Sequence, residues 1–76
     1  TRYLFMSGQD KILKKVGEEA AETIIASKND DSREVVTEMS DLWYHCLVLL
    51  AYHNIAPGEL LSELGARRKQ ENNSKY

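Results

Sequence analysis

A single cysteine, Cys46, excludes an internal disulfide and fits a reducing compartment. Proline is as scarce, with Pro57 alone, and strand signals are nearly absent: no alternating apolar–polar run is bounded by turn residues. Long hydrophobic runs are missing too. The longest, from Leu42 to Tyr52, is interrupted by His45 and is too short to span a bilayer. No signal-peptide pattern is visible, so a cytoplasmic protein without membrane contact is expected. A net charge of −2 leaves no basic face of the kind a nucleic-acid partner requires. No internal repeat or low-complexity segment stands out. The 76 residues fit one small domain, 1–76. A domain of this size buries only about 60% of the surface its unfolded chain exposes and is marginal alone. The chain opens on Thr1 rather than methionine, and a further helix upstream of it is expected.

What the sequence does hold is helical spacing of apolar residues. A short helical piece is expected at residues 1–6, followed by a break at Ser7-Gly8-Gln9. Asp10 is a suitable N-cap for a helix reaching about Lys28. The connection Asn29-Asp30-Asp31-Ser32 should cap a second helix, from about Arg33 to His53. Asn54-Ile55-Ala56 turns the chain, and Pro57 suits the first position of a last helix ending near Lys69. Residues 70–76 read as a polar, frayed tail. Projected at 100° per residue, Ile12, Leu13, Val16, Ala20 and Ile24 form one stripe of the first helix, with Glu19 at its border. The second helix is apolar nearly all round from Leu42 to Tyr52, which means burial on several sides. A chain this short can hardly supply those neighbours. The expected fold is therefore all-α, a helical bundle completed by homodimerisation.

Two acidic pairs stand one helical turn apart. Glu19 and Glu22 follow Glu18 in Glu18-Glu19-Ala20-Ala21-Glu22, and Glu38 and Asp41 lie in Glu38-Met39-Ser40-Asp41. Residues three apart share a helix face, so each pair can aim two carboxylates at one point. Two such helices packed together offer four carboxylates to a hard cation such as Mg²⁺, which takes oxygen ligands. Five clustered acids also repel a polyphosphate unless cations intervene. The plain alternative is a solvated helix face supported by Lys14–Glu18 and Lys15–Glu19 pairs at i,i+4. The position of Glu38 and Asp41, just before the most hydrophobic part of the chain, favours the cation, because carboxylates bordering a core are costly unless paired or bound.

The pattern Glu18-Glu19-x-x-Glu22 with Glu38-x-x-Asp41 resembles the signature of the MazG-like all-α nucleoside triphosphate pyrophosphohydrolases. Within that superfamily, Lys14-Lys15-Val16-Gly17-Glu18-Glu19 together with Tyr44-His45 is similar to the phosphoribosyl-ATP pyrophosphohydrolases of histidine biosynthesis, a more specific match than the four acids alone. The similarity runs from about Thr1 to Arg68, and members usually have a helical segment before the position of Thr1. The resemblance implies a homodimer that hydrolyses phosphoribosyl-ATP between its α and β phosphates, with Mg²⁺, to phosphoribosyl-AMP and pyrophosphate. Carried over by position, Glu19, Glu22, Glu38 and Asp41 would be metal ligands. Mg²⁺ would neutralise the triphosphate, acidify the attacking water and stabilise the leaving pyrophosphate. Glu18, rotated 100° from Glu19, would orient that water or take its proton.

Lys11 and Lys15 share the stripe of Glu22 and read either as phosphate contacts or as surface lysines balancing the glutamates. Lys14 projects away. His45 is expected to be a satisfied core residue, with a hydrogen bond to Asp41 as the functional option, and His53 to meet the helix dipole. Trp43, Tyr44 and Tyr52 read as core or interface before adenine-stacking groups, and Cys46 as core. Arg67-Arg68-Lys69 reads as solvated. Gly17, costly inside a helix, marks close packing or room for substrate. Two other functions remain open on the residues alone: a housecleaning pyrophosphohydrolase acting on dUTP or damaged nucleotides, and a non-catalytic helical dimerisation module.

Overall fold

Local signals set the limits of three helices. The computed structural model describes residues 8–74, of which residues 70–74 as backbone. Helix α1 spans Gln9–Lys28, α2 spans Ser32–Tyr52 and α3 spans Pro57–Ser74, with no strand among the described residues. The expected helical piece at residues 1–6 lies outside them.

Asp10 does not cap α1. Gly8 holds that position at φ 89°, where a side chain would be strained, and Asp10 sits in the first turn, favourable to the positive end of the helix dipole. Asp30 enters the left-handed region after α1, at φ 58°, a conformation that aspartate tolerates. Asp31 then caps α2: its Oδ1 accepts from the Arg33 and Glu34 amides, both at 3.1 Å. This places the start at Ser32, one residue before the expected Arg33. At the far end, Asn54 turns left-handed at φ 59°. The Asn54 amide donates to the Ala51 carbonyl at 3.0 Å and the Ile55 amide to Leu50 at 2.9 Å, the paired bonds of a Schellman stop. Pro57 opens α3 as expected, and Glu59 Oε2 reaches back to accept the Ala56 amide at 3.3 Å. That helix continues through Ser74, past the expected end at Lys69.

The short turn at residues 29–31 folds α1 and α2 into an antiparallel hairpin. Ile12 on α1 and Val48 on α2 form its core, with Leu49 packed alongside. The single-helix projection is turned relative to the observed packing. Leu13 and Ile24, expected in the apolar stripe, are exposed, whereas Ala26 is fully buried and Glu19 lies on the buried side. Every described side chain of α3 is exposed. The hairpin with its projecting third helix measures 43 × 36 × 16 Å. A helix is about 10–12 Å wide, so the shortest dimension is that of one layer. The radius of gyration, 15.0 Å, exceeds the roughly 11 Å of a compact chain of this length. Packing on α2 is correspondingly one-sided. Val36, Met39, Ser40, Trp43, Tyr44 and Leu47 line an open groove on the face away from α1, and Trp43 is 67% exposed. No helix of the described residues is long and apolar enough to cross a membrane.

Candidate metal centre

The antiparallel pairing that puts Ile12 beside Val48 also brings the middle of α1 against the first half of α2. Glu19 from α1 and Glu38 and Asp41 from α2 each offer a carboxylate oxygen within 4.8 Å of the others. Glu22, one turn after Glu19, lies outside this trio but near enough to Glu38 to raise its carboxyl. The hairpin thus brings together three of the four acids singled out as metal ligands, with the fourth beside Glu38.

Two electrostatic features mark this cluster. Only 9% of Glu19 is exposed, and among the described residues its Oε1 is buried without a hydrogen-bond partner. An ionised oxygen in that position is costly unless a cation meets it. Glu38 is driven toward its neutral form. Its carboxyl is pushed up from 4.5 to about 7, first by the hydrogen bond with Glu22, then by loss of solvent and by the charges of Glu22 and Glu19. All the donors are carboxylate oxygens, the set that Mg²⁺ or another hard cation takes. The site fits such an ion.

A pH dependence follows for the metal-free protein. Because the folded value lies above the unfolded one, the contribution of Glu38 to stability is fully present below pH 4.5 and is lost as pH rises through 7. Thermal unfolding of metal-stripped protein from pH 4 to 8 should show this loss, and Glu38→Gln should remove it from the profile. Parallel profiles for the two proteins would contradict the crowding.

The other residues of interest fall around this centre. Glu18 lies outside the cluster and pairs with Lys15 at 3.5 Å, an i,i+3 contact in place of the expected i,i+4 pairs. Both side chains are partly exposed, so the pair is weak and readily exchanged. Lys11, one turn earlier, is half-buried and engaged. His45 is half-buried and donates from Nδ1 to the Asp41 backbone carbonyl at 2.8 Å, not to its carboxylate. His53 closes α2, where its Nε2 accepts from the Gln9 side-chain amide at 3.1 Å. Cys46 is half-buried and free. A Cβ at Gly17 would meet nothing within 4 Å among the described residues, so its place in α1 reflects no close packing against them. One neighbour of the site escaped the sequence reading. Thr23 donates from Oγ1 to the Glu19 carbonyl at 2.8 Å, and the available signal was a hydroxyl residue one turn after an acid of the cluster.

The described residues are all helical and converge carboxylates from two packed helices. Residues 1–68 match the family described as phosphoribosyl-ATP pyrophosphohydrolase, and the chain belongs to that family. It is 59% identical over 71 residues to the phosphoribosyl-ATP pyrophosphatase of Pelotomaculum thermopropionicum, a match covering 93% of this chain and 72% of the relative. It is 60% identical over 67 residues to the phosphoribosyl-ATP pyrophosphatase of Bacillus cereus strain B4264, covering 88% and 63%. The protein of the same name from Nitrosospira multiformis is 58% identical over 64 residues, covering 84% and 53%. The chain therefore spans between about half and three quarters of the length of these relatives.

Proposed function

We propose that this chain hydrolyses phosphoribosyl-ATP to phosphoribosyl-AMP and pyrophosphate, the second step of histidine biosynthesis, as a Mg²⁺-dependent cytoplasmic homodimer. The observation that carries the chemistry is the buried, unpartnered Oε1 of Glu19 within a carboxylate group drawn from two helices. Family membership supports the substrate.

Glu19, Glu22, Glu38 and Asp41 would hold the ion between α1 and α2. A bound Mg²⁺ would neutralise the triphosphate and stabilise the leaving pyrophosphate. Glu18, outside the cluster, would orient the attacking water and take its proton as water adds across the α–β anhydride. Lys15 would exchange its weak contact with Glu18 for a phosphate oxygen, and Lys11, on the same stripe, would add a second cation. The second copy would cover the groove along α2, where Val36, Trp43 and Leu47 expose apolar surface that one chain leaves open.

The test is pyrophosphate release from phosphoribosyl-ATP, ATP and dUTP, each with Mg²⁺ and with EDTA. Release from phosphoribosyl-ATP alone, lost in EDTA, is the expected result. Release from dUTP in preference would move the protein to a housecleaning role. No release from any of them would make it a dimerisation module.

A further inference from the structure

Among the described residues, Thr23, His45 and Ser40 each donate a side-chain hydrogen bond to the carbonyl one turn back in their own helix. The bonds run from Thr23 to Glu19 at 2.8 Å, from His45 to Asp41 at 2.8 Å and from Ser40 to Val36 at 2.7 Å. The first two end on the carbonyls of two members of the carboxylate trio, one on each helix. A carbonyl that already serves the helix ladder and accepts a second donor tilts away from the axis, and such bonds bend helices locally. The second bond holds the peptide unit that follows the acid's Cα and so restricts the backbone from which its carboxylate projects. For His45 the protonation is fixed by the partner: a carbonyl only accepts, so Nδ1 carries the hydrogen. Glu19 has the least freedom to adjust otherwise, being nearly buried with one oxygen unpartnered.

We infer that Thr23 and His45 are positioning residues of the cation site, aiming the Glu19 and Asp41 carboxylates at a common point by bonding to their backbone carbonyls. This rests on the metal reading above and deepens it. Neither side chain touches the ion or the substrate. Their role is distinct from packing, and the two roles respond oppositely to substitution. Thr23→Val and His45→Phe keep the volume and remove the donor. Thr23→Ser and His45→Asn give up volume and keep a donor at the same reach.

The experiment is Mn²⁺ binding to the full chain, with free Mn²⁺ counted by electron paramagnetic resonance, so that no turnover is needed. Thr23→Val and His45→Phe should each raise the Mn²⁺ dissociation constant by about tenfold, the lower end of what loss of an outer-sphere partner does. Thr23→Ser and His45→Asn should stay within about twofold of the unaltered protein by the same measure. The melting temperature of metal-free Thr23→Val should not fall, since such a bond does not stabilise a helix. Ser40→Ala, which removes the same kind of bond from Val36, is the matched control and should bind normally. If the unaltered chain binds Mn²⁺, Glu38→Gln abolishes binding and Thr23→Val and His45→Phe bind normally, the inference fails and the metal site stands. Weaker binding by the serine and asparagine variants than by the valine and phenylalanine ones would also overturn it, in favour of packing. No Mn²⁺ binding by the unaltered chain would overturn the site and the inference together.

Discussion

Glu38→Gln is expected to cut the proposed Mg²⁺-dependent pyrophosphate release by about a thousandfold or more while the chain stays helical. Glu38 is the hub of the centre: it lies in the trio with Glu19 and Asp41, and Glu22 beside it raises its carboxyl. An amide there keeps the shape, offers one neutral oxygen and removes the charge that balances the cation. Charge stabilisation by a bound metal contributes several kcal/mol to such a transition state, and about 4 kcal/mol corresponds to three orders of magnitude in rate. The fold should not suffer. In the metal-free protein above pH 7 the variant should be the more stable of the two, because the like charges around Glu38 are then relieved. Circular dichroism and steady-state kinetics on the same preparation separate the two effects. Turnover within about tenfold of the unaltered enzyme, a loss of under 1.4 kcal/mol, would remove Glu38 from the metal centre.

Trp43→Asp is expected to split the proposed homodimer. The residue sits in the middle of the open groove on α2, 67% exposed in the single chain and flanked by Val36, Met39 and Leu47. Among the described residues, the single-layer shape leaves that face without a cover. A tryptophan at the centre of an apolar interface commonly contributes about 2–4 kcal/mol, which raises a dimer dissociation constant by roughly 30-fold to 1,000-fold. A buried aspartate adds a desolvation cost on top. Sedimentation velocity over a concentration series checks this, and Trp43, the sole tryptophan, reports dissociation by the shift of its emission. A variant that sediments like the unaltered chain at every concentration would place the interface elsewhere.

Helix limits were legible wherever a local rule governs them. Pro57 at the start of α3, Asn54 at the turn and the end of α1 at Lys28 follow from residues acting on their own backbone. Two limits were not legible: Gly8, whose positive φ starts α1 just before Asp10, and the end of α3, which runs to Ser74 past the expected Lys69. The approach of Glu19 to Glu38 and Asp41 was legible from i,i+3 spacing on two helices joined by a short turn. The depth of Glu19 was not. A projection of one helix gives the angles between its side chains, whereas burial depends on where the second helix lies, and α2 packs on the side of Glu19 and away from Leu13 and Ile24. The Lys15–Glu18 contact differs from the expected i,i+4 pairs for a related reason. Exposed lysines choose among several acids one turn away at little cost, and spacing does not decide between them.

The measurement that bears most directly on the metal centre is anomalous diffraction from crystals of the full chain grown with Mn²⁺. The expected result is a peak between α1 and α2, about 2.0–2.3 Å from carboxylate oxygens of Glu19, Glu38 and Asp41, in the range of hard-cation ligation. A peak bound elsewhere, or none at Mn²⁺ concentrations that support turnover, would contradict it.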